Sequence, residues 1–181
     1  MDRIILAVVS GGSKWLNEVS KDVFSCMTSY VGGFDMLIGS YPAKIDEKCR
    51  LRLPARFRRD LPETVDNTYY VTSDDGKRAQ IYPLPVWERI AQKLQEAPRM
   101  DPAKRKLQLI TSYYGEMLEM DPQGRILIPQ AIREKAELLG DVVVIGSNDH
   151  LEVWNRQIVS RDVEENQLTL EDRERLAELG I

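Results

Sequence analysis

Two segments carry the side chains whose types and spacing suggest chemistry. Asp46-Glu-Lys-Cys-Arg-Leu-Arg-Leu-Pro-Ala-Arg-Phe-Arg58 matches Asp121-Pro-Gln-Gly-Arg-Ile-Leu-Ile-Pro-Gln-Ala-Ile-Arg133 without a gap, at an offset of 75 residues. The equivalent positions are Asp46/Asp121, Arg50/Arg125, Leu51/Ile126, Leu53/Ile128, Pro54/Pro129 and Arg58/Arg133. An Asp at a turn accepts backbone N–H groups and holds the loop closed. The Arg that starts the returning strand then has two options: it pairs with that Asp and fixes the turn, or it projects outward. The motif alone leaves both open.

The first copy has further cations. Lys48, Arg50 and Arg52 are two residues apart, so an extended strand would put them on one face, with Leu51 and Leu53 turned to the core. A row of cations on a narrow β-ribbon suits the DNA major groove, which admits two strands. Arginine bonds bidentately to guanine O6 and N7, and lysine neutralises phosphate. In the second copy Gln123 and Leu127 stand at the positions of Lys48 and Arg52, leaving Arg125 as the cation beside Gln123. Both can still meet base edges, and the first copy is expected to bind more strongly.

The surrounding elements follow from local signals. Short strands lead into each Asp (Pro42 to Ile45; Met117 to Met120), and Gly124 supplies positive φ in the second turn. Return strands run from Arg50 to Leu53 and from Arg125 to Ile128, each ending at a Pro that opens a short helix. β-rich runs follow at Thr68 to Thr72 and Val142 to Gly146, then last strands at Gln80 to Tyr82 and Leu151 to Trp154. Ile81-Tyr82 corresponds to Val153-Trp154. Pro85 opens a helix reaching about Ala97. Asp101-Pro102 starts another, with Asp as N-cap and Pro at the first position. Thr169 and Asp172 form a capping box for a C-terminal helix.

Composition removes several classes of activity. The 181 residues contain 43% hydrophobic and 30% charged side chains, enough apolar content for a folded core. No apolar run approaches the roughly 18 residues of a membrane-spanning helix, so no membrane partner is expected. Two cysteines, Cys26 and Cys49, and one histidine, His150, supply neither a disulfide framework nor a zinc site. No cofactor or metal is expected, and no recognisable nucleophile points to an enzyme. His150 beside Asp149 reads as an exposed loop pair, and Trp87 and Trp154 read as core or interface anchors. The net charge of −4 argues against indiscriminate coating of nucleic acid. It averages opposites, however. Lys44 to Asp60 holds seven basic residues against three acidic ones, and Ser160 to Ile181 holds seven acids against three arginines.

The chain thus reads as two copies of one small unit. Residues 36–98 form the first unit with its helix, 99–114 a helical connector, 115–160 the second unit and 161–181 an acidic C-terminal helix. Residues 1–35, with few charges and little periodicity, read as an extension: disordered, a start-site artefact, or an extra helix from Ser13 to Phe24.

From Met36 to about Val159 the chain resembles the MraZ family of bacterial transcriptional regulators, through the two Asp-x-x-x-Arg segments in order, joined by a helical stretch. The resemblance implies an α+β, mainly β fold: two AbrB-like (SpoVT-AbrB) swapped-hairpin units fused into one pseudo-symmetric β-barrel-like body with flanking helices. It implies assembly into a homo-oligomeric ring and binding of double-stranded DNA at repeated sites upstream of the chain's own gene. Repression of the division and cell-wall operon, in the cytoplasm and at the nucleoid, follows from the same likeness. The family's motif arginines fall on Arg50, with Lys48 beside it, and on Arg125. Arg52 rests only on the strand-face argument. The alternative is a non-catalytic ring-forming scaffold whose Asp–Arg pairs are structural. The family pattern has Gly where this chain has Cys49, so a non-glycine residue is expected at positive φ, at a cost of order 1 kcal/mol. Family members begin near Met36, which suggests that residues 1–35 are translated operator DNA. Trp15 is necessarily read from TGG, and Val31-Gly32-Gly33 is compatible with GTGGG.

Overall fold

A computed structural model describes residues 36–61 and 64–181. The readings made for residues 1–35 lie outside the described residues. Alternating exposure along Ser40–Ile45 makes it strand β1, and Arg50–Arg52 forms β2. Pro54, fixed near φ −54°, ends the extended run and opens helix α1, Ala55–Asp60, whose Phe57 is fully buried. Strands β3 (Thr68–Thr72) and β4 (Ala79–Pro83) follow. Helix α2 is Leu84–Glu96, with Pro85 in its first turn. Helix α3 is Pro102–Tyr113, and the Asp101 side chain caps it by accepting from the Lys104 N–H at 2.9 Å.

The second repeat restates the first. Strands β5 (Glu116–Glu119) and β6 (Arg125–Leu127) are followed by Pro129 and helix α4, Gln130–Lys135. Strands β7 (Gly140–Ser147) and β8 (His150–Asn155) come next. The acidic tail is two helices where one was expected: α5, Arg156–Glu165, capped by Asn155, and α6, Leu170–Glu178, closed by the Thr169/Asp172 capping box. Helix α5 half-buries Ile158 and Val159 and fully buries no residue, so its apolar face is short.

The eight strands form one antiparallel sheet in the order β5-β3-β4-β8-β7-β1-β2-β6. The outermost strands β5 and β6 meet again through the Asp121 N–H, which donates to the Arg125 carbonyl at 2.8 Å, so the sheet curls into a nearly closed barrel. This is an α+β, mainly β body. The repeats interleave: β1 of the first pairs along its length with β7 of the second, and β5 of the second with β3 of the first. The core fills from both repeats, with Leu51, Val71, Ile81, Ile126, Ile132 and Leu151 all fully buried.

Two registers reveal an internal two-fold axis. Leu51 pairs with Ile126, its own equivalent in the other repeat, at the centre of β2–β6. Gln80 pairs with Glu152, again equivalents, at the centre of β4–β8. A pseudo-dyad therefore runs through the barrel from one pair to the other.

Candidate nucleic-acid interface

The β2–β6 end of that axis carries both motifs. In the first hairpin the Cys49 N–H donates to the Asp46 carbonyl at 2.8 Å and the Asp46 N–H to the Arg50 carbonyl at 2.9 Å. This is a tight turn followed by one residue in the left-handed region. That residue is Cys49, at φ 62°, and its equivalent is Gly124, at φ 74°. The positive φ expected at Cys49 is present. The hairpins are also bonded to each other: the Leu53 N–H donates to the Gly124 carbonyl at 2.9 Å and the Ile128 N–H to the Cys49 carbonyl at 3.1 Å.

Both arginines pair with their aspartates. Asp46 Oδ1 accepts the backbone N–H groups of Lys48 (2.9 Å) and Arg50 (3.0 Å), and Oδ2 accepts Arg50 Nε (3.0 Å) and Nη2 (2.7 Å). Asp121 repeats this with Gln123 N and Arg125 N, both at 2.9 Å, and with Arg125 Nε at 2.7 Å. The Arg50 side chain and N–H hold the Asp46 carboxyl at about 2, and Asp46 in turn raises the Arg50 guanidinium, on which the Asp121 carboxylate also acts. For Asp121, desolvation opposes ionisation, but the N–H and side chain of Arg125 outweigh it and lower its pKa. Each pair leaves part of the guanidinium unused. Nη1 of Arg50 lies outside the bonds to Asp46, and both side chains keep a quarter or more of their surface exposed.

The register brings the two copies together on one face. Arg50 lies opposite Leu127 and Arg52 opposite Arg125, while Leu51 and Ile126 point inward with no exposed surface. One expectation needs correction: Lys48 does not extend the Arg50–Arg52 face along a strand. The strand begins at Arg50, and Lys48 sits exposed in the turn, because the left-handed Cys49 breaks the alternation on which the shared face depended. Gln123 occupies the same turn position, and Gly124 turns the second loop.

One basic residue near the site came from outside the two-residue spacing. Arg58, on α1 of the first repeat, reaches across to the second hairpin and donates from Nη1 to the Gln123 carbonyl at 3.4 Å. A Cβ added at Gly124 would collide with Arg58 Cδ and lie 2.7 Å from Nη1. The repeat alignment contained Arg58, but only the folded chain shows which hairpin it meets.

The far end of the axis is charged as well. Arg78 donates from Nε to Glu152 Oε1 at 2.9 Å, pairs with Asp75, and lies 5.2 Å from the Trp154 ring. His150 stacks on Tyr82 at 4.4 Å, bonds Asp149 Oδ1 at 3.0 Å, and has its Nε2 3.7 Å from Glu152. His150 is therefore not an exposed loop residue. It starts β8 with a side chain only 13% exposed, because Tyr82 covers the ring. Trp154 is buried as an anchor, and Trp87 stacks on Tyr70 at 4.1 Å. Among the described residues no group of three or more His, Cys, Asp or Glu is placed to hold a metal, and no helix is long and apolar enough to cross a membrane.

Comparison with known proteins places this geometry in context. A family model described as "MraZ protein, putative antitoxin-like" matches residues 36–110 and 116–177. A protein of Acidobacterium capsulatum named transcriptional regulator MraZ is 48% identical over 146 residues, covering 81% of this chain and 100% of the relative. A Koribacter versatilis protein of the same name is 42% identical over 147 residues, with the same coverage of 81% and 100%. A third, from Coxiella burnetii, is 37% identical over 122 residues, 67% of this chain and 80% of the relative.

Proposed function

This chain belongs to the MraZ family, whose curated members are named transcriptional regulators rather than enzymes, and we propose that it is a sequence-specific DNA-binding repressor. The paired hairpins at the β2–β6 end are its reading head. Lys48, Arg50, Arg52, Gln123 and Arg125 are the contacts, with Asp46, Asp121 and Gly124 setting the loops.

The observation that carries this reading is the register of β2 against β6. It gathers Arg50, Arg52 and Arg125 on one outward face of a ribbon narrow enough for a major groove. In this reading the Asp–Arg pairs are compatible with recognition. An aspartate that holds Nε and one Nη2 hydrogen fixes the guanidinium plane before DNA arrives, which reduces the side-chain entropy lost on binding. The unused Nη1 edge then faces guanine O6 and N7, while Lys48 and Arg52 neutralise phosphate. A pair of ribbons makes few base contacts, so one subunit binds weakly. A ring of subunits over evenly spaced operator repeats gains through effective concentration. The sites are repeats upstream of the chain's own gene, at the head of the division and cell-wall operon that it represses, in the cytoplasm and at the nucleoid.

Anisotropy on a labelled duplex from that upstream region, against a scrambled duplex at two salt concentrations, tests the reading. The upstream duplex is expected to bind more tightly, and Arg50→Ala and Arg125→Ala to remove the preference without changing the oligomer's elution volume. Equal binding to both duplexes, indifferent to Arg50, refutes it. That outcome favours a ring-forming scaffold, a reading that draws on the direct bonds from Arg50 to Asp46 and from Arg125 to Asp121.

A further inference from the structure

The two hairpins are equivalent in backbone but not in their cations, although Glu47 offsets Lys48 in formal charge. At the same turn position the first carries Lys48 and the second the neutral Gln123. An exposed cation of the other repeat reaches that gap. Arg58 rises from α1, lays its stem over Gly124, and brings Nη1 to the Gln123 carbonyl at 3.4 Å. That bond is long and solvent-exposed, so it leaves most of the guanidinium's five donors for another acceptor.

The reciprocal arrangement does not occur. Arg133, the equivalent of Arg58, turns back to its own repeat and donates from Nη1 to the Ile128 carbonyl at 2.9 Å. The equivalent of Gly124 in the first hairpin is Cys49, which carries a side chain where the glycine has none. So the hairpin that already has a lysine receives no second cation, and the hairpin that lacks one receives Arg58. Around the pseudo-dyad each tip then carries a motif arginine and one further cation: Arg50 with Lys48, and Arg125 with Arg58.

We propose that Arg58 is the phosphate-contacting cation of the second hairpin, delivered across the pseudo-dyad from the first repeat through the opening at Gly124. This rests on the DNA-binding reading above and adds to it a residue and a role. Its position over the loop at Gly124, with Nη1 on a backbone carbonyl of the turn, suits a contact to the sugar–phosphate backbone. Its contribution is therefore to affinity and salt dependence and not to sequence preference.

The test is a charge transplant read by salt dependence. Binding of the full chain to the upstream and scrambled duplexes is measured between 50 and 200 mM salt. The proteins are wild type, Arg58→Gln, the double variant Arg58→Gln/Gln123→Lys, and Arg133→Gln. Arg58→Gln keeps the stem over Gly124, and unchanged circular dichroism and elution volume check that fold and assembly are intact. It is expected to weaken both duplexes by a similar factor and to reduce the log–log salt slope by about 0.9 for each hairpin engaged. That reduction is about a threefold smaller change in affinity across this salt range. Adding Gln123→Lys is expected to restore the slope, because it puts the cation on the hairpin's own tip. Arg133→Gln is expected to leave the slope unchanged. An unaltered slope in Arg58→Gln overturns the proposal. So does a loss that Gln123→Lys fails to restore, since Arg58 would then act only by packing on the loop. A wild-type chain that binds neither duplex overturns the DNA-binding reading itself, an outcome distinct from both.

Discussion

Replacing Cys49 by Gly is expected to make the protein more stable, against the usual effect of putting glycine into a folded chain. Cys49 stands at φ 62° in a turn that its equivalent, Gly124, makes at φ 74°. An L-residue in the left-handed region costs about 1–2 kcal/mol, and glycine gives back roughly 0.5–1 kcal/mol through its freer unfolded state. Cys49 is half-buried, so little packing is lost, and the balance favours Cys49→Gly by about 0.5–1 kcal/mol. For a chain of this size that is a rise in Tm of roughly 1–4 °C. Gly124→Ala runs the same argument backwards. It adds the strain, and its Cβ must displace the Arg58 stem, so it should lose at least about 1 kcal/mol. Thermal and urea unfolding at one fixed protein concentration measure both variants. A Cys49→Gly protein less stable than wild type, with Gly124→Ala neutral, would refute the claim that backbone strain separates the two hairpins.

Four other outcomes follow from the core, the charged end of the axis and the tail. Ile126→Ala, at a fully buried position on the pseudo-dyad, should cost about 2–5 kcal/mol in urea unfolding. Its effect should be non-additive with Leu51→Ala, since the two side chains face each other across β2–β6. Burial pulls the His150 pKa down, but Glu152 and Asp149 outweigh it, and the folded value lies above the ordinary 6.5. With Tyr82 stacked on the ring, the His150 contribution is complete below about pH 6.5 and is lost as pH rises through the folded value. His150→Gln should flatten the alkaline side of the stability–pH curve. Glu152, whose burial is outweighed by the His150 imidazole beside it and by bonds from Trp154 and Arg78, is held at about 2, against 4.5 for a free glutamate. Its stabilisation is present above pH 4.5 and is lost as pH falls towards 2, so Glu152→Gln should shallow the acid limb. Thr169→Ala should remove about 1 kcal/mol of local helix stability and speed amide exchange across α6, while leaving the barrel strands protected, because α6 buries no residue.

What the sequence displayed was whatever depends on neighbours along the chain. Pro54 and Pro129 ended their strands, Asp101 and Thr169 capped their helices, and the repeat located both hairpins. Lys48 leaves its expected face for a local reason that is partly visible in the sequence. A residue at positive φ was expected at Cys49, and such a residue cannot continue the alternation joining Lys48 to Arg50. His150 departs from its expected exposure for a non-local one. A histidine beside an aspartate looks solvated until Tyr82, from another strand, covers it. Whether each Arg projects or pairs with its Asp turned on side-chain torsions, which no spacing rule determines. Arg58 was in the repeat from the start, but its partner Gln123 lies 65 residues away and is close only because β2 lies against β6.

The interleaving of β1 with β7 sets a schedule on how the chain can be made. Ser40 faces Ile145, so the ladder of the first strand waits for roughly 100 further residues to be translated, about 5–20 s at ordinary elongation rates. Through that interval β1 has a backbone partner only at the Ile45–Leu51 contact, and the core is missing Ile126, Leu151 and Val153. A nascent chain stalled before β7 therefore presents an unpaired strand edge and an open apolar face to chaperones and proteases. Release of β7 and β8 from the ribosome closes both at once. Truncated products of this gene should be cleared quickly, because neither repeat contains the partner strand that would finish its own sheet.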